Sequence, residues 1–358
     1  MPNKALEDLA ASIQRSFGKE AAAMGGLTKE LNVVPTGSLA LDYELGIGGW
    51  PLGYCVGVFG ARDIGKTSTL GFGSIRNAQA LGLNCAIIAV EPNFDEKWAA
   101  KNGVDVDNTL LAYPASGEEA FAILHKVVRS GVVDWVVFDS IGAVISEVEI
   151  KEDGKPRQGG QAGLITWGIK AVAPMAFRNN VGVMFINQIR DDMKAQYAGM
   201  VKQPGGHGLE HHESIIVHLK RGSDRYTIKQ AGQEVQIGQQ IVAHIVRNKM
   251  AEGSGKRAVF DFFSMETSEY PFGIDIVTDT INTAKRTGVL RARMSKAGDK
   301  ETSWYDLADG TAVNGIKALS EHLRDHPKLI EELRDKVLRY MLAREDVVLL
   351  EPPQLEAV

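Results

Sequence analysis

Some residue types and patterns are scarce in this chain of 358 residues, and each scarcity excludes a class of protein. It has only two cysteines, Cys55 and Cys85, and both lie in apolar runs, which predicts buried thiols rather than a disulfide. No stretch approaches ~18 uninterrupted apolar residues, and the first residues lack the apolar region of a signal peptide. We therefore expect a cytoplasmic protein without a membrane partner.

A basic excess is also missing. The formal net charge is −5, so the overall charge gives no support for a nucleic-acid partner, and such a partner has to be argued from local loops. The apolar content of 44% and charged content of 24% are ordinary for a soluble globular protein. The length permits one large domain with smaller appendages, or two domains.

The most informative stretch is residues 60–68, where glycines precede a lysine and a hydroxyl at fixed spacing. It consists of Gly60, Ala61, Arg62, Asp63, Ile64, Gly65, Lys66, Thr67 and Ser68. Backbone N–H groups in such a loop turn inward around phosphate oxygens. Lys66 is then placed to contact the β- and γ-phosphates, and the Thr67 hydroxyl to bind magnesium. An ordinary glycine-rich turn is the alternative, but it gives no reason for Lys66 and Thr67 to stand together.

Apolar runs that resemble buried strands alternate with helical segments through the first half of the chain. The runs cover residues 54–59, 84–91, 132–140 and 180–188, and the later strands 214–220 and 240–247 are expected to be antiparallel. This alternation predicts an α/β fold with a mostly parallel sheet covered by helices on both faces. Ligands in such sheets lie at the carboxyl ends of the strands.

Four of these strand ends carry groups suited to nucleotide chemistry. The phosphate loop follows one strand, and Glu91, Asp139 and Gln188 end the others. We expect Asp139 to hold magnesium through water, because magnesium keeps several of its waters. Glu91 is expected to orient and polarise the water that attacks the γ-phosphate. Gln188 is expected to contact the γ-phosphate and report its loss, although each of the three also suits an ordinary polar strand end.

Two long segments, at about 147–163 and 189–206, are rich in glycine, amide and basic residues and lack clear periodicity. Long loops in compact domains are usually functional or disordered. Cations and backbone amides suit phosphates, and an aromatic ring suits bases. The candidate contacts are Lys155, Arg157, Arg190, Lys194, Tyr197, Lys202, Gly205 and Gly206. Solvated loops without a ligand are the open alternative.

Changes in pattern predict four regions. Residues 1–33 form an amphipathic helix, at 4–17, and a linker, and this helix needs an apolar surface on its own core or on a neighbouring subunit. Residues 34–269 form the core, 270–345 a small α+β C-terminal subdomain, and 346–358 a tail.

Several segments together resemble the RecA family of bacterial and phage recombinases over nearly the whole chain. Besides the phosphate loop they are Phe17-Gly18-Lys19, Thr36-Gly37-Ser38-Leu39-Ala40-Leu41-Asp42, Gly103-Val104-Asp105, Phe138-Asp139-Ser140, Phe185-Ile186-Asn187-Gln188-Ile189-Arg190 and Arg247-Asn248-Lys249. The run that contains Gln188, followed by the glycine pair Gly205-Gly206, is the most specific of them.

The resemblance implies a RecA-like P-loop NTPase core and a DNA-dependent ATPase that uses ATP and Mg²⁺. Such a protein forms a helical filament on single-stranded DNA, pairs it with homologous double-stranded DNA and exchanges strands, in DNA repair and the SOS response. It would work in the cytoplasm of a bacterial cell or a phage-infected host. The N-terminal helix would dock on the neighbouring protomer, and the C-terminal subdomain would help to admit duplex DNA.

The resemblance also implies residue roles. Glu91 matches the catalytic glutamate and Gln188 the γ-phosphate sensor, and the two long segments match the DNA-binding loops. Trp98 matches an aromatic residue that stacks on adenine, Asp95 contacts the base, and Ser140 belongs to the nucleotide site. Arg247 and Lys249 match a pair that reaches ATP bound to the neighbouring protomer.

Some positions depart from the family pattern, and two rival functions stay open. The departures are the phosphate-loop interior Ala61-Arg62-Asp63-Ile64, Arg247 in place of a lysine, His211 in place of an aromatic residue, and Ser264 in place of a tyrosine. One rival is a RecA-fold ring ATPase or helicase-type motor. The other is a catalytically weak paralogue that binds DNA without strand exchange, and Glu91 and Lys66 argue against it.

Overall fold

The structure is a computed structural model, and it describes most of the chain. The described residues are 4–18, 21–23, 30–91, 94–151, 160–189, 206–230, 232–252, 254–295, 301–341 and 347–350. Most of the candidate DNA contacts lie outside these residues, namely Lys155, Arg157, Arg190, Lys194, Tyr197, Lys202 and Gly205.

Eleven helices occur among the described residues. They are α1 (Lys4–Phe17), α2 (Leu39–Leu45), α3 (Phe72–Ala80), α4 (Glu96–Lys101), α5 (Gly117–Arg129), α6 (Glu147–Lys151), α7 (Gly160–Asn179), α8 (Gly206–His212), α9 (Ile276–Arg286), α10 (Ile316–Asp325) and α11 (Pro327–Met341). A π-helical turn, Thr67–Gly71, leads directly into α3, so the helix after the phosphate loop begins within the motif itself.

Fifteen strands occur in the same described part of the chain. They are β1 (Leu31–Val34), β2 (Trp50–Pro51), β3 (Cys55–Gly60), β4 (Cys85–Ala89), β5 (Thr109–Ala112), β6 (Trp135–Asp139), β7 (Gly182–Gln188), β8 (Glu213–Gln230), β9 (Gln233–Asn248), β10 (Arg257–Phe263), β11 (Gly273–Ile274), β12 (Ala292–Met294), β13 (Glu301–Asp306), β14 (Ala312–Asn314) and β15 (Val347–Leu349).

The central sheet has nine strands in the order β11-β10-β9-β8-β3-β7-β6-β4-β5. The six strands from β8 to β5 in this order are mutually parallel, and β9, β10 and β11 continue the sheet in antiparallel fashion. The predicted α/β fold with a mostly parallel sheet is therefore confirmed. Because the sheet is parallel through its centre, β3, β4, β6 and β7 all end at one edge.

Both faces of the sheet are covered, because successive strand residues point to opposite sides. On β6, Trp135 and Val137 pack in the cluster that includes Leu70 of the π-helical turn and Ile75 of α3. The intervening Val136 and Phe138 pack in a second cluster, on the face covered by α5, α7 and α8. The near-continuous apolar runs of the sequence follow from this two-sided burial.

The first predicted loop is shorter than the sequence suggests. Residues 147–151 form α6, and α7 begins at Gly160, inside the predicted loop of about 147–163. The glycines at 159, 160 and 163 indicated a loop, but Ile165, Ile169 and Val172 bury one face of α7 against the second cluster. Tertiary packing thus outweighs the low helix propensity of glycine. Likewise Gly206, the last residue of the second predicted loop, begins α8.

The C-terminal segment packs on the core through α2. Leu39 of α2 belongs to a separate apolar cluster with Val277 and Ile281 of α9 and Leu319 of α10. Strand β15, within the predicted tail, lies parallel to β1. The division of the chain into four regions stays a prediction.

Asp279 of α9 caps the N-terminus of α2. Its buried carboxylate accepts hydrogen bonds from the backbone N–H groups of Leu39 and Ala40 and from the Ser38 hydroxyl. Burial raises the pKa of Asp279 to about 6. These bonds satisfy helix-start donors that the helix itself cannot satisfy.

Replacing Asp279 by alanine is therefore expected to lower the free energy of unfolding by about 2–4 kcal/mol, because a cap is lost and buried N–H groups are left without acceptors. Urea denaturation measures this change. Asp335→Ala is the matched control, because Asp335 is exposed on α11 and its loss is expected to cost less than about 0.5 kcal/mol. Equal effects of the two substitutions would contradict the capping role.

Two further features concern surfaces. Helix α1 exposes Leu6, Leu9 and Phe17 by 49%, 56% and 73%, so its apolar stripe is uncovered within one chain.

Among the helices of the described residues, none is long and apolar enough to cross a membrane.

Candidate nucleotide-binding site

A cleft of about 510 Å³ opens at the carboxyl ends of β3, β6 and β7. Its walls are Arg62, Asp63, Gly65, Lys66, Thr67, Ser68, Glu91, Asp139, Ser140, Gly142, Ala143, Gln188 and Ile189. The sheet register explains this convergence, because Gly60 lies opposite Gln188, and Ala89 lies opposite Asp139. The cleft thus brings together the four strand ends that the sequence singles out.

Lys66 bridges the mouth of the phosphate loop. Its side chain is buried, and its Nζ donates to the carbonyl oxygens of Gly60 at 3.1 Å and Ala61 at 2.7 Å. Gly65 has φ +88, a backbone conformation that other residues rarely adopt. Burial lowers the pKa of Lys66, while Asp139 and Glu91 oppose that shift. A phosphate in the cleft would offer this ammonium a charged acceptor in place of two neutral carbonyls.

Asp139 and Thr67 form the oxygen-rich part of the cleft. The Thr67 hydroxyl donates to Oδ2 of Asp139 at 2.7 Å. Burial raises the pKa of Asp139 to about 6, and the Thr67 hydrogen bond and the Lys66 ammonium oppose that shift. Hydroxyl and carboxylate oxygens are the ligands that magnesium prefers, so these two residues fit a magnesium site. A bound divalent cation would favour the ionised form of Asp139.

Glu91 is held from two sides. The Ser140 hydroxyl donates to Oε1 of Glu91 at 2.6 Å, and the Gln188 amide donates to the same oxygen at 2.8 Å. The catalytic candidate and the sensor candidate are therefore in direct contact. Residue 188 ends β7, and the chain continues from it into the second predicted loop. Any movement of the Gln188 amide would change both the charge environment of Glu91 and the start of that loop.

Trp98 and Asp95 lie beside the phosphate loop rather than in it. The Trp98 indole N–H donates to the Ser68 hydroxyl at 2.9 Å, and Asp95 accepts from the Trp98 backbone N–H at the start of α4. A second cavity of about 200 Å³ adjoins this point and is lined in part by Ser68, Phe262 and Phe272. It is large enough to admit a nucleobase edge or ribose next to the loop.

Sequence reasoning missed some wall residues. Phe262 and Phe272 come from β10 and just before β11, and nothing in their local sequence marks them as site residues. Gly142 and Ala143 were also missed, although they lie in the short turn that follows β6 and closeness to that strand end was the available signal. Ser264 is absent from the described walls of both cavities, and its hydroxyl donates to the carbonyl oxygen of Ile237.

Within the unusual interior of the phosphate loop, Ile64 is buried in the core, whereas Arg62 and Asp63 face solvent. The side chains of Arg62 and Asp63 are 86% and 82% exposed and lie 4.0 Å apart. Asp63 has φ 59, which aspartate tolerates better than most residues. Arg62 and Asp63 thus place an exposed ion pair at the rim of the cleft.

Arg247 and Lys249 do not lie in this cleft. Arg247 is level with Gly57, three residues before the end of β3, and two strands away from it. Lys249 follows β9 near the level of Cys55, roughly 16 Å along the strand from Gly60 at ~3.3 Å per residue. Arg247 donates to the carbonyl oxygen of Glu210, and the Lys249 ammonium to that of His211 at 2.7 Å. The two cations therefore rest on the end of α8, away from the phosphate loop of their own chain.

Comparisons with known proteins cover nearly all of this architecture. Residues 4–266 match the family model described as the RecA N-terminal domain. Protein RecA of Thermus aquaticus is 34% identical over 343 residues, which cover 94% of this chain and 94% of that protein. Protein RecA of one strain of Thermus thermophilus is 34% identical over 355 residues, which cover 97% of this chain and 96% of that protein. Protein RecA of Aquifex pyrophilus is 33% identical over 337 residues, which cover 93% of this chain and 91% of that protein. The phosphate-loop cleft and these full-length similarities lead to one conclusion: the chain belongs to the RecA family.

Proposed function

We propose that this protein is an ATP-dependent homologous recombinase. It forms a helical filament on single-stranded DNA, pairs that strand with homologous double-stranded DNA and exchanges the strands, with DNA-stimulated ATP hydrolysis. The observation that carries the proposal is the contact of Ser140 and Gln188 with one oxygen of Glu91, because it joins a hydrolytic carboxylate to the start of a predicted DNA loop. Membership of the RecA family supports the same function, and we place it in DNA repair, in the SOS response and in the cytoplasm.

ATP binding falls to the phosphate loop and its surroundings. The loop N–H groups and Lys66 hold the β- and γ-phosphates, and Trp98 and Asp95 hold the adenine side. Thr67 and, through water, Asp139 hold Mg²⁺, which neutralises charge on the phosphates when it is bound. The exposed Arg62 at the rim, once it turns from Asp63 to the nucleotide, adds a cation for the polyphosphate.

Glu91 supplies the base for hydrolysis. A water molecule attacks the γ-phosphorus, the bond to the β-γ bridging oxygen breaks, and the water proton passes toward the Glu91 carboxylate. Ser140 orients that carboxylate by donating to one oxygen, which leaves the other oxygen to accept from the water. The products are ADP and phosphate.

Gln188 couples the nucleotide to DNA. With γ-phosphate present, its amide exchanges the Glu91 oxygen for a phosphate oxygen, and the loop that follows changes with it. The DNA contacts are assigned to the loops at about 147–163 and 189–206, through Lys155, Arg157, Arg190, Lys194, Tyr197, Lys202, Gly205 and Gly206. The C-terminal subdomain admits the duplex.

Arg247 and Lys249 complete the site of the neighbouring protomer. Their position away from the cleft of their own chain supports this assignment. A heterologous interface of this kind, repeated head to tail without closing, generates a helical filament. The exposed apolar stripe of α1 supplies a second contact to the neighbour.

The main rival is a RecA-fold ring ATPase or helicase-type motor. The two functions differ in assembly and in DNA dependence, so we expect single-stranded DNA to raise the rate of ATP hydrolysis and micrographs to show filaments with ATP. Hydrolysis assays with and without DNA, followed by negative-stain microscopy of the same samples, measure both. Closed rings with DNA-independent hydrolysis would overturn the proposal.

A further inference from the structure

A fully buried acid, Glu213, lies beside the two cations assigned to the neighbouring protomer. It is the first residue of β8 and is 0% exposed. Neither of its carboxyl oxygens has a hydrogen-bond partner among the residues that the structure describes. A buried acid without partners is destabilising, and an apolar residue of similar size would serve packing better. The proposed function so far gives this group no role.

The Glu213 side chain is seated over a glycine. Glu213 pairs with Cys55 of β3, and a Cβ atom added at Gly57, on the same face of that strand, would overlap the Glu213 carboxyl group. The acid therefore points inward along the sheet and occupies the space that any larger residue at position 57 would fill. Gly57 is therefore the residue that leaves room for the buried Glu213 carboxyl group.

The charged surroundings of Glu213 are mixed. Burial raises the pKa of Glu213 well above its ordinary value, and Glu210 adds to that shift, whereas Arg247 and Lys249 oppose it. The titratable and charged groups of this region are Cys55 on β3, Glu210, His211 and His212 on α8, Arg247 on β9, Lys249 just after it, and Lys170 on α7. The only carboxyl groups among them are Glu210 and Glu213, and Glu213 alone is fully buried.

The cations have two possible acceptors. Arg247 and Lys249 now donate to the carbonyl oxygens of Glu210 and His211, which are neutral. The backbone N–H of Lys249 also donates to the carbonyl oxygen of Ser214 at 2.9 Å, so Lys249 is tied to the residue after Glu213. An ionised Glu213 would be a much stronger acceptor than either carbonyl.

We propose that Glu213 is a positioning residue for Arg247 and Lys249. As the neutral acid it leaves both cations on α8, available to the neighbour's nucleotide, and as the carboxylate it draws them into their own chain. The inference rests on the proposed function, in which these cations act between protomers. The neighbour's γ-phosphate and the ionised acid then compete for the same two cations, so the interprotomer site weakens as Glu213 loses its proton.

The test is the pH profile of DNA-stimulated ATP hydrolysis for the full-length protein and for Glu213→Gln, an uncharged residue of the same shape. As the pH rises through the raised pKa of Glu213, the wild-type rate should fall by roughly threefold or more relative to the variant, whose profile should be flatter. The raised pKa means that the folded state holds this proton more tightly than the unfolded state. The contribution of Glu213 to the free energy of unfolding is therefore present at acid pH and lost as the pH rises through its raised pKa. At alkaline pH, Glu213→Gln should accordingly melt at a higher temperature than the wild-type protein.

Glu210→Gln is the matched control, because it removes the adjacent, incompletely buried carboxylate and leaves the Glu213 acid in place. Because Glu210 adds to the raised pKa of Glu213, the profile of this variant should keep the wild-type fall in rate and move it to lower pH. Superimposable wild-type and Glu213→Gln profiles would overturn the inference, and Glu213→Ala tests it equally if the glutamine variant does not fold. Arg247→Ala separates failure of the proposed function from failure of this inference. If that variant hydrolyses ATP at the wild-type rate, Arg247 has no interprotomer role. If its hydrolysis is impaired but the wild-type and Glu213→Gln pH profiles superimpose, only the role of Glu213 is refuted.

Discussion

Replacing Lys66 by alanine is expected to lower the rate of ATP hydrolysis by about 10²–10³-fold, which corresponds to about 2.7–4 kcal/mol of lost transition-state stabilisation. The Lys66 ammonium is buried at the loop mouth, where a phosphate would replace two neutral carbonyl oxygens as its acceptor. Its loss also leaves the γ-phosphate without the cation that opposes Asp139 and Glu91. ATP-dependent filament formation should be abolished with it.

Single-turnover hydrolysis and electron microscopy with ATP and single-stranded DNA measure these two effects. Lys97→Ala is the control, because Lys97 is exposed on α4 beside the same site and its loss should leave both readouts unchanged. A melting curve establishes that the Lys66 variant is folded. Strand exchange at the wild-type rate by a folded Lys66→Ala protein would refute the assigned role.

The fold was largely predictable because most of its signals are local. The phosphate loop is defined by spacing alone, and the apolar runs before Asp139 and Gln188 reflect two-sided burial in a parallel sheet. Since parallel strands end at a common edge, the chemistry of the cleft followed from those strand ends. The contact of Gln188 with Glu91 adds what spacing cannot show, namely which oxygen the two groups share.

The unpredicted parts depend on contacts between distant segments. Strands β8 and β9 extend to Gln230 and from Gln233, well beyond the predicted 214–220 and 240–247, because they pair with each other where their residues are mostly exposed and show no apolar pattern. The walls Phe262 and Phe272 arrive from the antiparallel end of the sheet. Glu213 resembled any polar residue before a strand, and only the register that sets it beside β3 shows that it fills the space over Gly57.

The position of Arg247 leads to the second large effect. Arg247→Ala should retain nucleotide binding, because residue 247 lies away from the cleft of its own chain, and should lose about 10²-fold or more of its DNA-stimulated hydrolysis, since an arginine supplied across an interface stabilises the charge of the transferred phosphoryl group. Lys66→Ala should lose hydrolysis for a different reason, within its own cleft. Lys66→Ala therefore loses its cleft and keeps its cations, whereas Arg247→Ala keeps its cleft and loses one of the two cations.

Mixing the two inactive proteins should restore activity. Lys66→Ala protomers form no filament of their own with ATP, but Arg247→Ala protomers bind ATP and form a filament that they can enter. Where the two enter at random, about a quarter of the interfaces join an intact cleft of an Arg247→Ala protomer to an intact cation pair of a Lys66→Ala protomer, because head-to-tail contacts use a different surface on each side. We therefore expect an equal mixture to recover about a quarter of the wild-type rate on DNA. If both residues served the site of one chain, the mixture would stay as inactive as its components. A mixture of Arg247→Ala with Lys249→Ala is the matched control, because both defects lie on the same side of the interface and every cleft then meets an incomplete pair of cations.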